Sequence, residues 1–333
     1  MTSYVIRRAG DGDKDALLAL YEEVSGGVRR ARLEACWDWR WHDRPLPQPG
    51  QGGYRGVVAS LNGTIVGSVT WYPACFYASG KAFGAFWQID SLVHPEHRRR
   101  GLAGRMITFD SDDTVMLAKG TSESMLAARL RKGYGTVEPS GEWQRPLSFD
   151  QRCRRMFGRF AGTLLSRVPD MLIRKMPRRP ACVSFMAGEF GPEFDNLWRH
   201  CQTCVLGARD AASLTWRYRK YPGGDYDVLV ARNYHGQLLG YVIVEFFERR
   251  ARRRGSIVDF LCRFDQASVA RELVAGALWH LKESGADAAD CYATHPLLVS
   301  ALQSCGFRLR GVQPMTVLGR LSGPIHVTAG DGF

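Results

Sequence analysis

Residues 93–106 read "VHPEHRRRGLAGRM". Three consecutive arginines, Arg98, Arg99 and Arg100, stand directly before Gly101, Leu102, Ala103 and Gly104. A surface charge run has no use for the glycines, and a plain turn has no use for the arginines. Together they fit a site for an anion that must touch the main chain. Small residues let a phosphate reach backbone N–H groups, and the arginines add charge-assisted hydrogen bonds and field. The preceding "FWQIDSLV" (86–93) has a strand pattern and an apolar stretch follows. The loop is therefore expected to join a long strand, ending at about Val93, to a helix starting near Gly101, whose unsatisfied N–H groups would complete a pyrophosphate cradle. It is not a Walker loop, since no Gly-Lys-Ser/Thr follows, and it lacks the Gly-x-Gly-x-x-Gly order of a dinucleotide site.

Asp90 stands just before the end of that strand. There a carboxylate could take a proton from an incoming ammonium group, directly or through water. It could equally pair with a nearby arginine or cap the strand end, and Asp259 at the corresponding place later in the chain favours that structural use. His94 and His97 have suitable intrinsic acidity, although histidines beside an arginine loop are more often simply solvated.

The elements that would position these residues occur twice. "WRWHDRP" begins at Trp39 and "WRYRKYP" at Trp216, both Trp-Arg-aromatic-x-x-x-Pro, with a constant offset (216 − 39 = 177; 222 − 45 = 177). Each is followed by strand, polar turn with glycine, and strand ("YRGVVASLNGTIVGSVTW" and "YDVLVARNYHGQLLGYVIV"), a hairpin signature. "FWQIDSLVHP" then parallels "GSIVDFLCRF", and a strand–helix pair ending in Gly133-Tyr134 parallels one ending in Gly306-Phe307. The expected fold class is α/β with a mixed sheet, built from two tandem domains: 1–148, a basic linker 149–182, a second domain 183–323 and a tail 324–333. Met156, Phe157, Phe160, Leu164 and Leu165 recur at helical spacing in the linker, which carries nine Arg/Lys against Asp170 between 151 and 180.

Composition bounds the rest. A chain of 333 residues is comfortable for two domains, and 45% hydrophobic with 23% charged residues is ordinary for a globular protein. No run of about 18 apolar residues implies a transmembrane helix, and the N-terminus lacks a signal peptide's apolar core. Nine scattered cysteines suit reduced thiols, and a cytoplasmic location is expected. Cys201 and Cys204 have metal-like spacing, but no second pair completes a four-ligand zinc site, so no metal is expected. The net charge of +12 invites a nucleic-acid partner. Basic clusters suit phosphate-rich small molecules, an acyl carrier protein or an anionic membrane surface as well, so charge alone does not choose.

Arg98-x-x-Gly101-x-Ala103, after a strand ending in Val-x-Pro, resembles the acyl-CoA pyrophosphate loop of the GNAT N-acetyltransferase superfamily. The "GYG" and "CGF" after a helix resemble the closure of that fold's last helix. The resemblance extends over nearly the whole chain as two copies. It implies a co-substrate, acetyl-CoA or another acyl-CoA, with its pyrophosphate on the main-chain amides of about Arg99 to Gly104. It further implies that Leu92 and Val93 pair with the pantetheine arm and polarise the thioester carbonyl, and that Ser122 stands where many relatives contact the cofactor through asparagine. The second copy departs from the pattern: after Asp259 it reads "FLCRFDQASVARELVAG", without the small residues or the arginines, and Asp265 adds negative charge. That copy is expected not to bind CoA well.

Many relatives protonate the leaving thiolate with a tyrosine four residues before the closing glycine. Arg129 and Leu302 occupy those positions here, and arginine does not give up a proton near neutral pH. Tyr134 is expected in the core, by comparison with Phe307. The resemblance thus implies an acyl-CoA-dependent N-acyltransferase acting on a small-molecule or peptide amine. Two other readings remain: an aminoacyl-tRNA-dependent transferase, also a tandem form of this fold but generally without the pyrophosphate loop, and a non-catalytic protein that binds CoA or an acyl carrier. Because the loop is present, a nucleic-acid partner is not the favoured expectation.

Overall fold

The computed structural model describes residues 3–45, 55–78, 80–109, 115–120, 122–148, 176–202, 206–249 and 251–318. The expected linker helix and the tail lie outside them, apart from residues 176–182. The first part of the chain runs β1 (Val5–Ala9), α1 (Lys14–Ser25), α2 (Gly27–Ala35), α3 (Trp37–Trp41), β2 (Gly56–Leu61), β3 (Thr64–Ala78), β4 (Lys81–Val93), α4 (Leu102–Met106), β5 (Met116–Lys119), α5 (Glu123–Leu130) and β6 (Gly135–Pro146). The second runs β7 (Val183–Met186), α6 (Pro192–Arg199), β8 (Leu206–Gly207), α7 (Ala211–Tyr218), β9 (Tyr226–Arg232), β10 (Leu238–Glu248), β11 (Arg253–Cys262), α8 (Ala267–Glu283), β12 (Ala288–Ala293), α9 (Pro296–Ser304) and β13 (Arg308–Leu318).

All thirteen strands share one sheet, ordered β1-β2-β3-β4-β5-β13-β6-β12-β11-β10-β9-β7, with β8 attached to β3. Read from either end, the order presents corresponding strands of the two parts, and only β4–β5 and β11–β12 pair in parallel. The inner strands are near-continuous apolar runs because helices cover both faces: β2 buries Val57, Val58 and Ala59, and β10 buries Tyr241 to Val244. The β2–β3 turn places Asn62 and Gly63 at φ 51° and 84°, the two left-handed residues that a tight hairpin needs.

The closing strands are exchanged. β6 follows α5 in sequence yet pairs with β12, while β13, from the end of the second part, pairs with β5. β6 and β13 pair with each other at the centre of the sheet. A second contact repeats the reciprocity. The Trp39 and Trp216 rings stack 4.5 Å apart at 7°; Trp39 Nε1 donates to the Trp216 carbonyl at 2.7 Å, and Trp216 Nε1 returns the bond to Trp39 at 2.8 Å. Residue i touches j as j touches i, the signature of a two-fold contact. The repeated Trp-Arg motif thus marks where the two parts meet.

A fragment ending at residue 148 would leave β5 without β13, and β6 without both of its neighbours. Exposed edges of this kind aggregate. Expressed alone, 1–148 should show no cooperative unfolding by calorimetry, and adding 176–333 should restore it. A monodisperse 1–148 with a sharp transition would show that the exchange is dispensable.

Candidate functional site

β4 pairs with β5 only at Phe86↔Met116 and Trp87↔Leu117. Beyond Trp87 the two parallel strands part and open a gap. On its other edge β4 bulges, since Ser68 faces Leu92 and Thr70 faces Ile89, so that Val69 alone opposes Asp90 and Ser91. Asp90 has φ 47°, unusual for a residue other than glycine. Bulges re-aim side chains beside active sites, and such backbone outliers persist only where the surroundings hold them.

The arginine–glycine loop closes one side of the gap. Arg98 Nε donates to the Val93 carbonyl at 3.0 Å, tying the loop to the strand end. Arg99 (φ 62°) and Gly101 (φ 73°) are both left-handed, and among the described residues no backbone carbonyl accepts from the amides of 99–104. Successive unpaired N–H groups in such a backbone form an anion-binding concavity. α4, five residues long, starts immediately after Gly101, so local amides rather than a long helix's macrodipole supply the attraction.

These residues line a cleft of about 1030 Å³. Leu92, Val93, Arg98, Arg99, Gly101, Leu102, Ala103, Gly104, Ser122 and Asp90 all contribute, as do Arg131 and Lys132 from the end of α5. Arg100 is turned elsewhere: its guanidinium lies 5.8 Å over the Tyr4 ring and donates to the Glu96 carbonyl. Ser122 caps α5, accepting from the Met125 amide at 3.4 Å, so its hydroxyl serves the helix as well as the cleft.

A second cleft of about 870 Å³ adjoins the first and shares Ser25, Arg29, Asp90, Ser91, Ser122 and Met125 with it. Tyr221 from the second part of the chain also lines it. Asp90 is the one carboxylate among the residues lining either cleft. Its oxygens accept from Arg29 at 3.0 Å and Arg40 at 2.9 Å, and its carbonyl accepts from the Tyr21 hydroxyl at 3.3 Å. His97 lines the first cleft, with Nδ1 2.9 Å from the Tyr4 hydroxyl, while His94 faces Glu23. Tyr134 is in the core, donating to the Ile107 carbonyl at 3.2 Å, and burial raises its hydroxyl's pKa. Arg129, at the position where a tyrosine is usual, is 2% exposed and lines the second cleft, not the first.

The second part carries the same bulge, closed. β10 and β11 slip register between Ile243 and Val244, next to Asp259. Asp259 is wholly buried between Arg209 (2.8 Å) and Arg217 (3.3 Å), and the Tyr218 hydroxyl donates to it at 2.8 Å. Arg217 follows Trp216 as Arg40 follows Trp39, so the arginine–aspartate pair recurs in both parts. Where the first part leaves room between its loop and the start of α5, Phe264 stacks on His295, 4.5 Å apart at 20°.

Cys201 is buried and its thiol faces the Cys262 carbonyl at 3.5 Å, while Cys204 lies outside the described residues. His94, Glu96 and His97 bring potential ligand atoms within 4.8 Å of one another on the loop, but His97 is already bonded to Tyr4. Among the described residues no helix is long and apolar enough to cross a membrane.

Residues 5–137 match the family model described as an acetyltransferase (GNAT) domain. Over those residues the chain is similar to a GNAT acetyltransferase domain. No curated protein sequence matches the chain. Among solved structures, the chain resembles N-myristoyltransferase of Saccharomyces cerevisiae with bound myristoyl-CoA at TM-score 0.62 and 11% identity, over 96% of this chain and 84% of that one. It resembles a GCN5-related N-acetyltransferase of Anabaena variabilis at TM-score 0.60 and 12% identity, over 95% and 72%. A putative acetyltransferase of Pyrococcus horikoshii gives TM-score 0.55 and 13% identity, over 97% and 92%. At such identities the likeness is one of fold, and it extends past residue 137 across the second part. Arg29, Arg40, Ser91 and Tyr221 were not singled out in the sequence as site residues. Arg40 could have been, because the recurring Trp-Arg pair and the recurring aspartate are two halves of one ion pair.

Proposed function

We propose that the chain transfers an acyl group from a CoA thioester to an amine, with the donor in the first cleft and the acceptor in the second. The observation that carries this is the junction of the two clefts at Asp90 and Ser91, directly beside the left-handed loop of unpaired amides. The amides of 99–104, with Arg98 and Arg99, hold the donor pyrophosphate. The free edge of β4 at Leu92 and Val93 takes the pantetheine arm and polarises the thioester carbonyl, and Ser122 borders the same channel. Holding amine and thioester together supplies much of the acceleration. Asp90, the single carboxylate at the junction, receives the ammonium proton. Because the Arg–Asp pair also exists where no cleft opens, that duty is laid over a structural one. Acetyl-CoA is the simplest donor; the size of the first cleft leaves longer acyl groups open to the same test.

The two parts are, on this reading, two copies of one domain (1–148 and 183–323), of which only the first binds CoA. The Phe264–His295 stack and the buried Arg209–Asp259 pair support that asymmetry, and Tyr221 makes the acceptor cleft a joint product of both. Calorimetry should find one CoA per chain, and incubation with acyl-CoAs and an amine panel should release free thiol. Two equivalent CoA sites, or tight CoA binding with no thiol released by any acceptor, would overturn the respective halves of the proposal. Salt-sensitive RNA binding would instead favour an aminoacyl-tRNA-dependent transferase.

A further inference from the structure

Five cations, Arg29, Arg32, Arg40, Lys119 and Arg129, line the acceptor cleft against one carboxylate, Asp90. Asp90 is already committed to Arg29 and Arg40. Arg32 donates to the Tyr221 hydroxyl at 2.7 Å, and its charge acts on Glu245, whose carboxyl burial pushes up and Arg32 pulls back down. Lys119 lies 5.7 Å over the Tyr292 ring. Arg129 differs from all of these. It is 2% exposed, its Nε donates to Gln88 Oε1 at 2.9 Å, and its Nη1 has no hydrogen-bond partner among the described residues.

A buried guanidinium without a counter-charge is strongly unfavourable. Burial pushes Arg129 down to about 10, with only Tyr134 acting the other way and no carboxylate among the influences on it. At neutral pH it therefore remains a cation. Its place in the last turn of α5 offsets part of the cost but offers no anion. Because it faces the acceptor cleft and not the donor cleft, the missing partner is not the phosphate of CoA. A planar fork whose Nη1 is unpaired, with no counter-charge among the described residues, matches a carboxylate better than a doubly charged phosphate.

We infer that the acceptor is an amine that also carries a carboxylate, an amino-acid-like molecule whose acid group is held by Arg129 while its amine meets the thioester beside Asp90. The amine half of this statement rests on the acyltransferase reading; the anion site does not.

The test follows the Nε–Hε resonance of Arg129 in isotopically labelled protein, assigned by its loss in Arg129→Lys, which keeps the charge and removes the fork. The probes are the proteinogenic amino acids and their carboxamides, each at tens of millimolar with CoA present. Carboxylates should move the resonance and carboxamides should not. In the thiol-release assay, an acceptor's carboxamide should have kcat/KM about 10- to 100-fold lower, mainly through KM, the worth of one charge-assisted bidentate contact. Arg129→Lys should erase that preference. No movement with any carboxylate, or equal turnover of acid and amide, overturns the inference. Movement with carboxylates but no thiol release from any acceptor keeps the anion site and removes the acyltransferase reading instead.

Discussion

Gly101→Asp should abolish CoA binding and leave the chain folded. A Cβ at position 101 meets no atom within 4 Å, so the side chain has space. The backbone there is left-handed, at φ 73°, which costs a residue other than glycine roughly 1 kcal/mol, and aspartate tolerates it better than most. Aspartate is also a favoured residue immediately before a helix, so the net change in stability should be small. The carboxylate would nevertheless sit among the unpaired amides of 99–104, accept from them, and repel a pyrophosphate. CoA affinity measured by calorimetry should fall more than about 100-fold, or about 2.7 kcal/mol. Gly101→Ala carries the same backbone strain without the charge and should lose far less. Unchanged affinity in folded Gly101→Asp would mean that the loop holds no phosphate.

That this loop is legible in the sequence, while Arg129's environment is not, has a physical reason. Small residues beside arginines are a local pattern, and a loop that must offer amides to an anion has few other ways to be written. The Trp-Arg motif likewise announced equivalent places, because both tryptophans lie on the contact between the two parts. The exchange of β6 and β13 left no local trace. A strand's alternation states that it is paired and not with which neighbour, and either partner satisfies the same pattern. Arg40's role depended on a partner fifty residues away, and Arg129's on the lack of a counter-charge among the described residues. Neither is visible from spacing alone, although the two aspartates and the two Trp-Arg pairs, taken together, contained the first of them.

The recurring ion pair sets up the second large effect. Asp259→Asn should be among the most destabilising single changes in this chain, because it leaves Arg209, wholly buried, and Arg217, nearly so, without their shared counter-charge. Breaking a buried pair by removing one partner typically costs about 3–5 kcal/mol, and at about 2–4 °C per kcal/mol for a domain of this size the melting temperature should fall by about 10 °C. Asp90→Asn removes the corresponding carboxylate from a wetter place: its side chain is 19% exposed and that of Arg29 is 54% exposed. Water can replace much of what is lost, so the stability change should stay near 1 kcal/mol. Its effect should appear in the chemistry. If Asp90 accepts the ammonium proton, the transfer rate falls about 10²- to 10⁴-fold with CoA affinity nearly unchanged. Part of that loss should return at high pH, where the amine sheds its proton in solution and needs no base. A fall of less than about 10-fold, with both variants destabilised equally, would make Asp90 a carboxylate that only orders Arg29 and Arg40. The pair is informative because the aspartate occurs in both parts of the chain, whereas an open cleft beside it occurs in the first.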